Sequence, residues 1–183
     1  MMKKIAFLGD SIRLGYAPRA TELLGDGYSC FAPTDNCRFA KYTTRLVFDF
    51  REKLMGSDVI HWNNGLWDAC DLWGEGPFTP EEEYVEAMVR LAKRLLPMTK
   101  TLIFATTTPV RPDAPTDKNA IIERFNALVV PRLSELGVVI NDLHSLIARD
   151  VPAYIRDDDK IHLTPAGIEA AAAQVARVIR ENA

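Results

Sequence analysis

Five short apolar runs, separated by stretches of helical periodicity, constrain what this chain can fold into more than any other feature. Ile5-Ala6-Phe7-Leu8 is the first, and Tyr28 to Ala32, Asp58 to Trp62, Thr101 to Thr106 and Val138 to Ile140 follow. The first reads as a strand buried on both faces, and the other four as strands. Between them, apolar residues recur every three or four positions: Leu46, Phe50 and Leu54; Val85, Met88, Val89, Ala92 and Leu96; Ile121, Phe125, Leu128 and Leu136; Ile168, Ala172, Val175 and Ile179. Each set lies on one face of a helix. Strands alternating with helices imply an α/β protein, with a parallel sheet, right-handed crossovers and helices on both faces. No repeat, low-complexity segment or linker interrupts the pattern, so residues 1–183 are expected to form one domain.

Local signals place the element ends. Leu14 to Leu24 reads as a helix with Pro18 in its first turn or distorting it, and Gly25-Asp26-Gly27 ends it. A helix from Thr43 to Met55 is expected next. Thr79-Pro80-Glu81-Glu82 predicts a helix start in which Thr79 is the N-cap, Pro80 the first helical residue and Glu82 the partner in a capping box. Asp117 is expected to cap the following helix, which carries Pro131, and Thr164-Pro165 to open the last.

Charge and cysteine content exclude several functions. Twenty-two basic residues face 25 acidic ones, without a basic block, which speaks against nucleic-acid binding. No apolar run approaches the roughly 18 residues of a membrane span. Met1-Met2-Lys3-Lys4 precedes an apolar run, but Gly9-Asp10 cuts that run short and no cleavage site follows. It reads as a first strand, and the chain as cytoplasmic. Cys30, Cys37 and Cys70 are odd in number and lack CxxC spacing, so free thiols are expected rather than disulfides or a zinc site.

Chemistry concentrates at the two ends of the chain. Gly9 ends the first strand, and Asp10-Ser11 precede a helix. A hydroxyl there sits where open α/β sheets bind ligands, against helix N-terminal N–H groups that favour developing negative charge. Asp10 is suited to shaping the turn by accepting backbone N–H bonds. A serine nucleophile needs a base, a group to orient the base, and oxyanion donors. Of the three histidines, His61 reads as a strand residue satisfied by a backbone partner and His144 as a polar residue entering a short helix. His162 lies in a polar loop with Asp159 close enough to hold its ring. Asp157 and Asp158 are read as a solvated charge run. The other common serine arrangement, GxSxG, is absent.

Gly9-Asp10-Ser11, taken with Asp159-Lys160-Ile161-His162, resembles the GDSL/SGNH hydrolases, which are serine esterases and deacylases on a flavodoxin-like sheet. The resemblance implies a three-layer fold with five parallel strands in the order 2-1-3-4-5. It implies Ser11 as nucleophile, His162 as base and Asp159 as its orienter, with no cofactor. The family commonly supplies three oxyanion donors: the serine N–H, a glycine N–H after strand two and an asparagine side chain after strand three. Here the second block reads Pro33-Thr34-Asp35-Asn36-Cys37-Arg38, without glycine, leaving the N–H of Cys37 or Arg38 as candidates. The third reads Trp62-Asn63-Asn64-Gly65. Asn64 aligns with the family asparagine, and Asn63 is left to brace the loop or touch substrate.

The expected function is therefore hydrolysis of a carboxylic ester of a small molecule or carbohydrate, an O-acetyl group on a sugar among them. The loop from Trp62 to Phe78 carries Trp62, Trp67, Trp73 and Phe78 beside Asn63, Asp68 and Asp71. Aromatic faces beside hydrogen-bonding groups suit a sugar or aryl ester, with Asn63 and Trp67 as substrate contacts; alternatively Trp67 and Trp73 pack the loop onto the sheet. Two other readings compete. A non-catalytic flavodoxin-like module would grip an anion or phosphate with Gly9 to Arg13 at the helix N-terminus. A metal hydrolase would use Asp157, Asp159 and His162.

Overall fold

The computed structural model describes residues 2–183. Five strands form one parallel sheet: β1 (Lys3–Leu8), β2 (Tyr28–Phe31), β3 (Ser57–Trp62), β4 (Thr99–Ala105) and β5 (Val139–Asn141). Their order is β2-β1-β3-β4-β5, as the resemblance implied. The long helices are α1 (Ser11–Leu24), α2 (Ala40–Asp49), α5 (Glu81–Leu95), α6 (Asn119–Glu135) and α9 (Pro165–Asn182). Short helices α3 (Arg51–Leu54), α4 (Leu66–Ala69), α7 (Leu143–Ala148) and α8 (Val151–Tyr154) complete the set. Helix α1 packs on α9, while α5 packs between α2 and α6, so two helical layers enclose the sheet.

The central runs are buried as their composition requires, whereas the edge strands β2 and β5 are only partly covered. Ile5, Ala6, Phe7 and Leu8 have no exposed surface, and full burial of a side chain the size of Phe7 contributes about 1.5–3 kcal/mol. Register along the central strands pairs Leu8 with Trp62 and Trp62 with Phe104. The two rings stand 4.9 Å apart. Trp62 is therefore core, not part of an exposed aromatic loop. No helix among the described residues is long and apolar enough to cross a membrane.

Several local expectations are corrected by tertiary contacts. Helix α1 starts at Ser11, three residues early, because Asp10 is its N-cap: the Ile12 N–H donates to Asp10 Oδ1 at 3.0 Å. Pro18 consequently sits inside the helix, on an exposed position. The helix expected from Thr43 to Met55 breaks at Phe50 into α2 and α3. Thr79 does not cap α5; its hydroxyl donates instead to Asp68 Oδ1 at 2.9 Å, and the helix opens after Pro80. The buried stripe of α5 is Tyr84, Ala87, Met88, Leu91, Ala92 and Leu95, turned from the expected one because Tyr84 stacks on Phe125 of α6 at 4.4 Å. Thr164 does cap α9, accepting from the Gly167 N–H at 3.1 Å.

Candidate active site

The C-terminal ends of β1 and β3 lie side by side, and the turns leaving them hold most of the site. At the end of β1, Gly9 has φ +147°, and a Cβ there would sit 2.0 Å from Asn63 Oδ1. Glycine is required by that close approach as well as by its conformation. Ser11 follows as the first residue of α1, where N–H groups have no intrahelical acceptor.

The loop after α8 brings in the partners of Ser11. Ile155 and Leu163 form an antiparallel bridge, and the Arg156 N–H donates to the His162 carbonyl at 2.8 Å. Inside this pinned turn Asp159 Oδ1 accepts the N–H groups of Ile161 and His162 at 2.9 and 2.8 Å. Its Oδ2 lies 3.0 Å from His162 Nδ1. Burial acts to raise the Asp159 pKa, but the two backbone donors and the His162 ring outweigh it and hold the carboxyl below its ordinary value. An ionised carboxylate only accepts, so Nδ1 carries the ring proton. Nε2 is then free to accept, and it faces Ser11 Oγ at 2.8 Å. Residues 151 positions apart thus form a continuous Ser–His–Asp hydrogen-bond chain.

The neighbouring acids are engaged elsewhere. Asp158 pairs with Arg156 at 2.8 Å, which brings its pKa down to about 2. Asp157 accepts from Lys160 at 2.9 Å and lies 3.3 Å from Arg111. Asp157, Asp159 and His162 do not converge, and no cluster of three or more His, Cys, Asp or Glu among the described residues could hold a metal ion.

A second, buried network supports the turn from below. Asn63, 4% exposed, donates from Nδ2 to Asp10 Oδ1 at 2.8 Å and accepts from the Tyr16 hydroxyl at 3.3 Å. The Tyr16 hydroxyl also meets His61 Nδ1 at 3.3 Å, and Asn141 Nδ2 meets His61 Nε2 at 3.0 Å. Gln174 Nε2 closes the series on Asn141 Oδ1 at 2.8 Å. An amide nitrogen can only donate, so His61 Nε2 accepts and Nδ1 bears the proton. Every donor then points the same way, from Gln174 to Asp10. Burial holds His61 neutral, with its pKa pushed down to about 3. His61 is thus satisfied by side chains rather than by a backbone partner. The Asn63 amide bonds inside the protein through both its oxygen and its nitrogen, so Asn63 braces the turn.

Asn64 is fully buried and held at four points. Its Oδ1 accepts from Trp62 Nε1 at 2.8 Å, and its Nδ2 donates to the Arg38 carbonyl at 2.7 Å. Its own carbonyl accepts from Thr107 Oγ1 and the Tyr84 hydroxyl at 3.0 and 3.1 Å. One of the two Nδ2 hydrogens remains without an acceptor among the described residues. In the second block, Arg38 adopts φ +49°, a conformation glycine would take without strain. The Cys37 N–H donates to the Gly9 carbonyl at 3.0 Å and the Arg38 N–H to Asn36 Oδ1 at 2.8 Å. Neither candidate N–H is free as the structure stands.

Arg13, which an anion-binding loop would aim outward, is 1% exposed. Its guanidinium donates to the carbonyls of Pro33, Asp35 and Gly9 at 2.6, 2.7 and 3.1 Å. It ties the β1 turn to the second block, pointing into the protein rather than outward.

Ser11 and His162 open on a cleft of about 310 Å³. Leu66, Trp67, Cys70, Leu72 and Ile161 form its apolar wall, and Asn36, Thr116 and Asp117 its polar part. Trp67 is 40% exposed beside the cleft, whereas Trp73, 82% exposed, packs on little. Asp117 was legible only as a helix cap; nothing in its sequence surroundings pairs it with residues 11 and 162. A larger groove of about 640 Å³ between α5 and α6 is lined by glutamates, arginines and aliphatic side chains and holds no nucleophile.

No protein-family model matches the chain, and no curated protein matches it in sequence. Solved structures do match in shape. A lipase/acylhydrolase from Enterococcus faecalis superposes with a TM-score of 0.79 at 17% identity, covering 98% of this chain and 96% of its own. An acetylxylan esterase from Geobacillus stearothermophilus gives 0.77 at 16% identity, with 97% and 94% covered. An alpha/beta hydrolase from the metagenome of Lake Arreo gives 0.74 at 16% identity, with 96% and 94% covered. The chain shares their fold from end to end.

Proposed function

We propose that this chain is a serine hydrolase of the GDSL/SGNH type that cleaves a carboxylic ester, with Ser11 as nucleophile, His162 as base and Asp159 as its orienter. The observation that carries the reading is the pair of contacts on His162: Ser11 Oγ at 2.8 Å on one ring nitrogen and Asp159 Oδ2 at 3.0 Å on the other. A nucleophile, a base in the correct tautomer and an orienting carboxylate are the parts that acyl transfer needs.

In this mechanism His162 Nε2 takes the Ser11 proton as Oγ attacks the carbonyl carbon. The resulting imidazolium is stabilised by Asp159 and returns the proton to the leaving alcohol. Water then repeats the cycle on the acyl-serine, with His162 again the base. Negative charge on the tetrahedral oxygen is met by the Ser11 N–H at the start of α1 and by the unused amide hydrogen of Asn64. The reaction draws on no cofactor. A cleft of about 310 Å³ lies at the small end of ligand sites and suits a short acyl group, acetyl above all, on a small or carbohydrate alcohol. The acylhydrolase and acetylxylan esterase among the solved structures of this fold are in keeping with that chemistry.

The test is labelling with a fluorophosphonate probe and mapping of the modified peptide, together with turnover of p-nitrophenyl acetate. The label is expected on Ser11, and Ser11→Ala is expected to lose on the order of 10⁴–10⁶ in kcat while remaining folded. Substantial turnover by a folded Ser11→Ala protein would reject the reading.

A further inference from the structure

Asp117 is a buried carboxylate that the proposed mechanism does not use. Although expected to cap α6, it accepts no backbone N–H of that helix, whose first residue is Asn119 and whose N-cap position is Lys118. Asp117 is 5% exposed. Its Oδ2 accepts from Thr116 Oγ1 at 2.8 Å, and its Oδ1 has no partner among the described residues. Burial raises its pKa, opposed by Thr116, Lys118 and His162. Among the described residues no cation forms an ion pair with it: the adjacent Lys118 turns its ammonium to the carbonyls of Ala114 and Pro115, at 3.0 and 3.4 Å. An unpaired carboxylate is costly to keep at such a place, and this one lines the cleft on which Ser11 and His162 open.

The position of Asp117 says which half of a substrate it would meet. His162 must return its proton to the leaving oxygen, so the alcohol half lies against the His162–Ile161 wall. Asp117 lines the same cleft, close enough for its charge to interact with that of His162. Asn36 lines it too; its Oδ1 is taken by the Arg38 N–H, while its Nδ2 has no acceptor among the described residues. The cleft therefore offers one strong acceptor and one spare donor. A hydroxyl group, which both donates and accepts, can use the pair, whereas an ammonium only donates.

We infer that Asp117 is a specificity-determining residue whose free carboxylate oxygen accepts a hydrogen bond from a hydroxyl on the leaving alcohol, so that the substrate is the ester of a polyol or sugar with a free hydroxyl beside the acylated one. This rests on the esterase reading and deepens it. Three acetyl esters separate the possibilities: p-nitrophenyl acetate, whose leaving group has no donor; a monoacetylated methyl glycoside with a free vicinal hydroxyl; and O-acetylethanolamine, whose leaving group carries an ammonium. The quantity read is the ratio of kcat/KM for each of the latter two to that for the aryl ester.

Asp117→Ala is expected to lower the glycoside ratio about 10–100-fold, the loss of one hydrogen bond to a charged group. Asp117→Asn keeps an oxygen for Thr116 and carries the test if the alanine variant does not fold; a drop of several-fold in the same ratio is expected. An unchanged glycoside ratio in both variants would overturn the inference, because equal loss on both esters marks a merely structural residue. A fall confined to the O-acetylethanolamine ratio would also overturn it, in favour of cation recognition. A wild-type chain active on the aryl ester but not on the glycoside would reject this inference alone, and one inactive on all three would remove the esterase reading with it.

Discussion

Replacing Asn63 by alanine removes the side chain that joins the nucleophile turn to the buried network beneath it. Asp10 has no exposed surface, and one of its oxygens, Oδ2, has no partner among the described residues. The other accepts from only two donors, the Ile12 N–H and Asn63 Nδ2. Loss of a hydrogen bond to a charged group costs about 1.5–3 kcal/mol. The Tyr16 hydroxyl, bonded to Asn63 at 3.3 Å, loses a weaker bond worth about 1 kcal/mol. The sum, about 2.5–4 kcal/mol, is a large part of the roughly 5–15 kcal/mol that holds a domain folded.

The cost has a definite pH dependence. Burial already raises the Asp10 pKa, with Asn63 the main group opposing it, so the alanine variant raises it further. A carboxyl whose folded pKa lies above its unfolded value favours the folded state when protonated, and that contribution is lost as pH rises through the folded pKa. The deficit of Asn63→Ala relative to wild type is therefore expected to be larger at pH 8 than at pH 5. Urea denaturation at the two pH values measures it, read from the midpoint at constant m. A deficit below about 1 kcal/mol at both pH values would refute the reasoning, since it would mean that Asp10 does not depend on this amide.

Asp159→Asn is expected to lower kcat on an aryl acetate by about 10³–10⁴ through the wrong imidazole tautomer, whereas Asp157→Asn and Asp158→Asn, whose partners are Lys160, Arg111 and Arg156, change it a few-fold at most; equal effects at the three positions would mean the orienting acid is misassigned. Asn64→Ala should cost about 10²–10³ in kcat at nearly constant KM, the loss of one oxyanion donor, and the loss of its two side-chain hydrogen bonds, to Trp62 and Arg38, makes a lower melting temperature the accompanying sign. Asp68 accepts from the Ala40 N–H at 3.0 Å and from Thr79, and burial pushes its pKa up to about 7. Its protonated form favours the folded state, so this contribution is complete below about pH 4 and is lost on rising through pH 7. Measured against Asp68→Asn, which does not titrate, wild-type stability should fall between pH 5 and pH 8, and parallel pH profiles would contradict the assignment.

What the sequence determined by itself was set by interactions short along the chain. The apolar runs dictated buried parallel strands, and the residues between them dictated crossover helices. Asp10 and Thr164 were readable as groups that organise a turn or a helix start. Asp159 and His162 are three residues apart in one tight turn, so the carboxylate's hold on the ring was legible before any fold was known. The strand order was legible only through the resemblance carried by Gly9-Asp10-Ser11 and Asp159-x-x-His162, because periodicity says nothing of which strand lies beside which.

Tertiary structure decided the pairings between groups that each had several chemically adequate partners. Thr79 had the spacing of a capping box, yet its hydroxyl went to Asp68, brought near by the loop after β3. Arg13 had the look of an anion ligand, yet three carbonyls of the β1 and second-block turns surround it. His61, with Asn141 80 positions away, and Asn63, with Tyr16 47 positions away, became one directed network only when β1, β3, β5 and α1 came together. Asp117 left its helix for the cleft wall. A side chain's hydrogen-bonding capacity is a property of its residue type, but which partner it meets depends on where distant segments are carried by the burial of their apolar faces. That is why the two ends of this chain carried the marks of the chemistry, and why only the folded sheet brought Ser11 within 2.8 Å of His162.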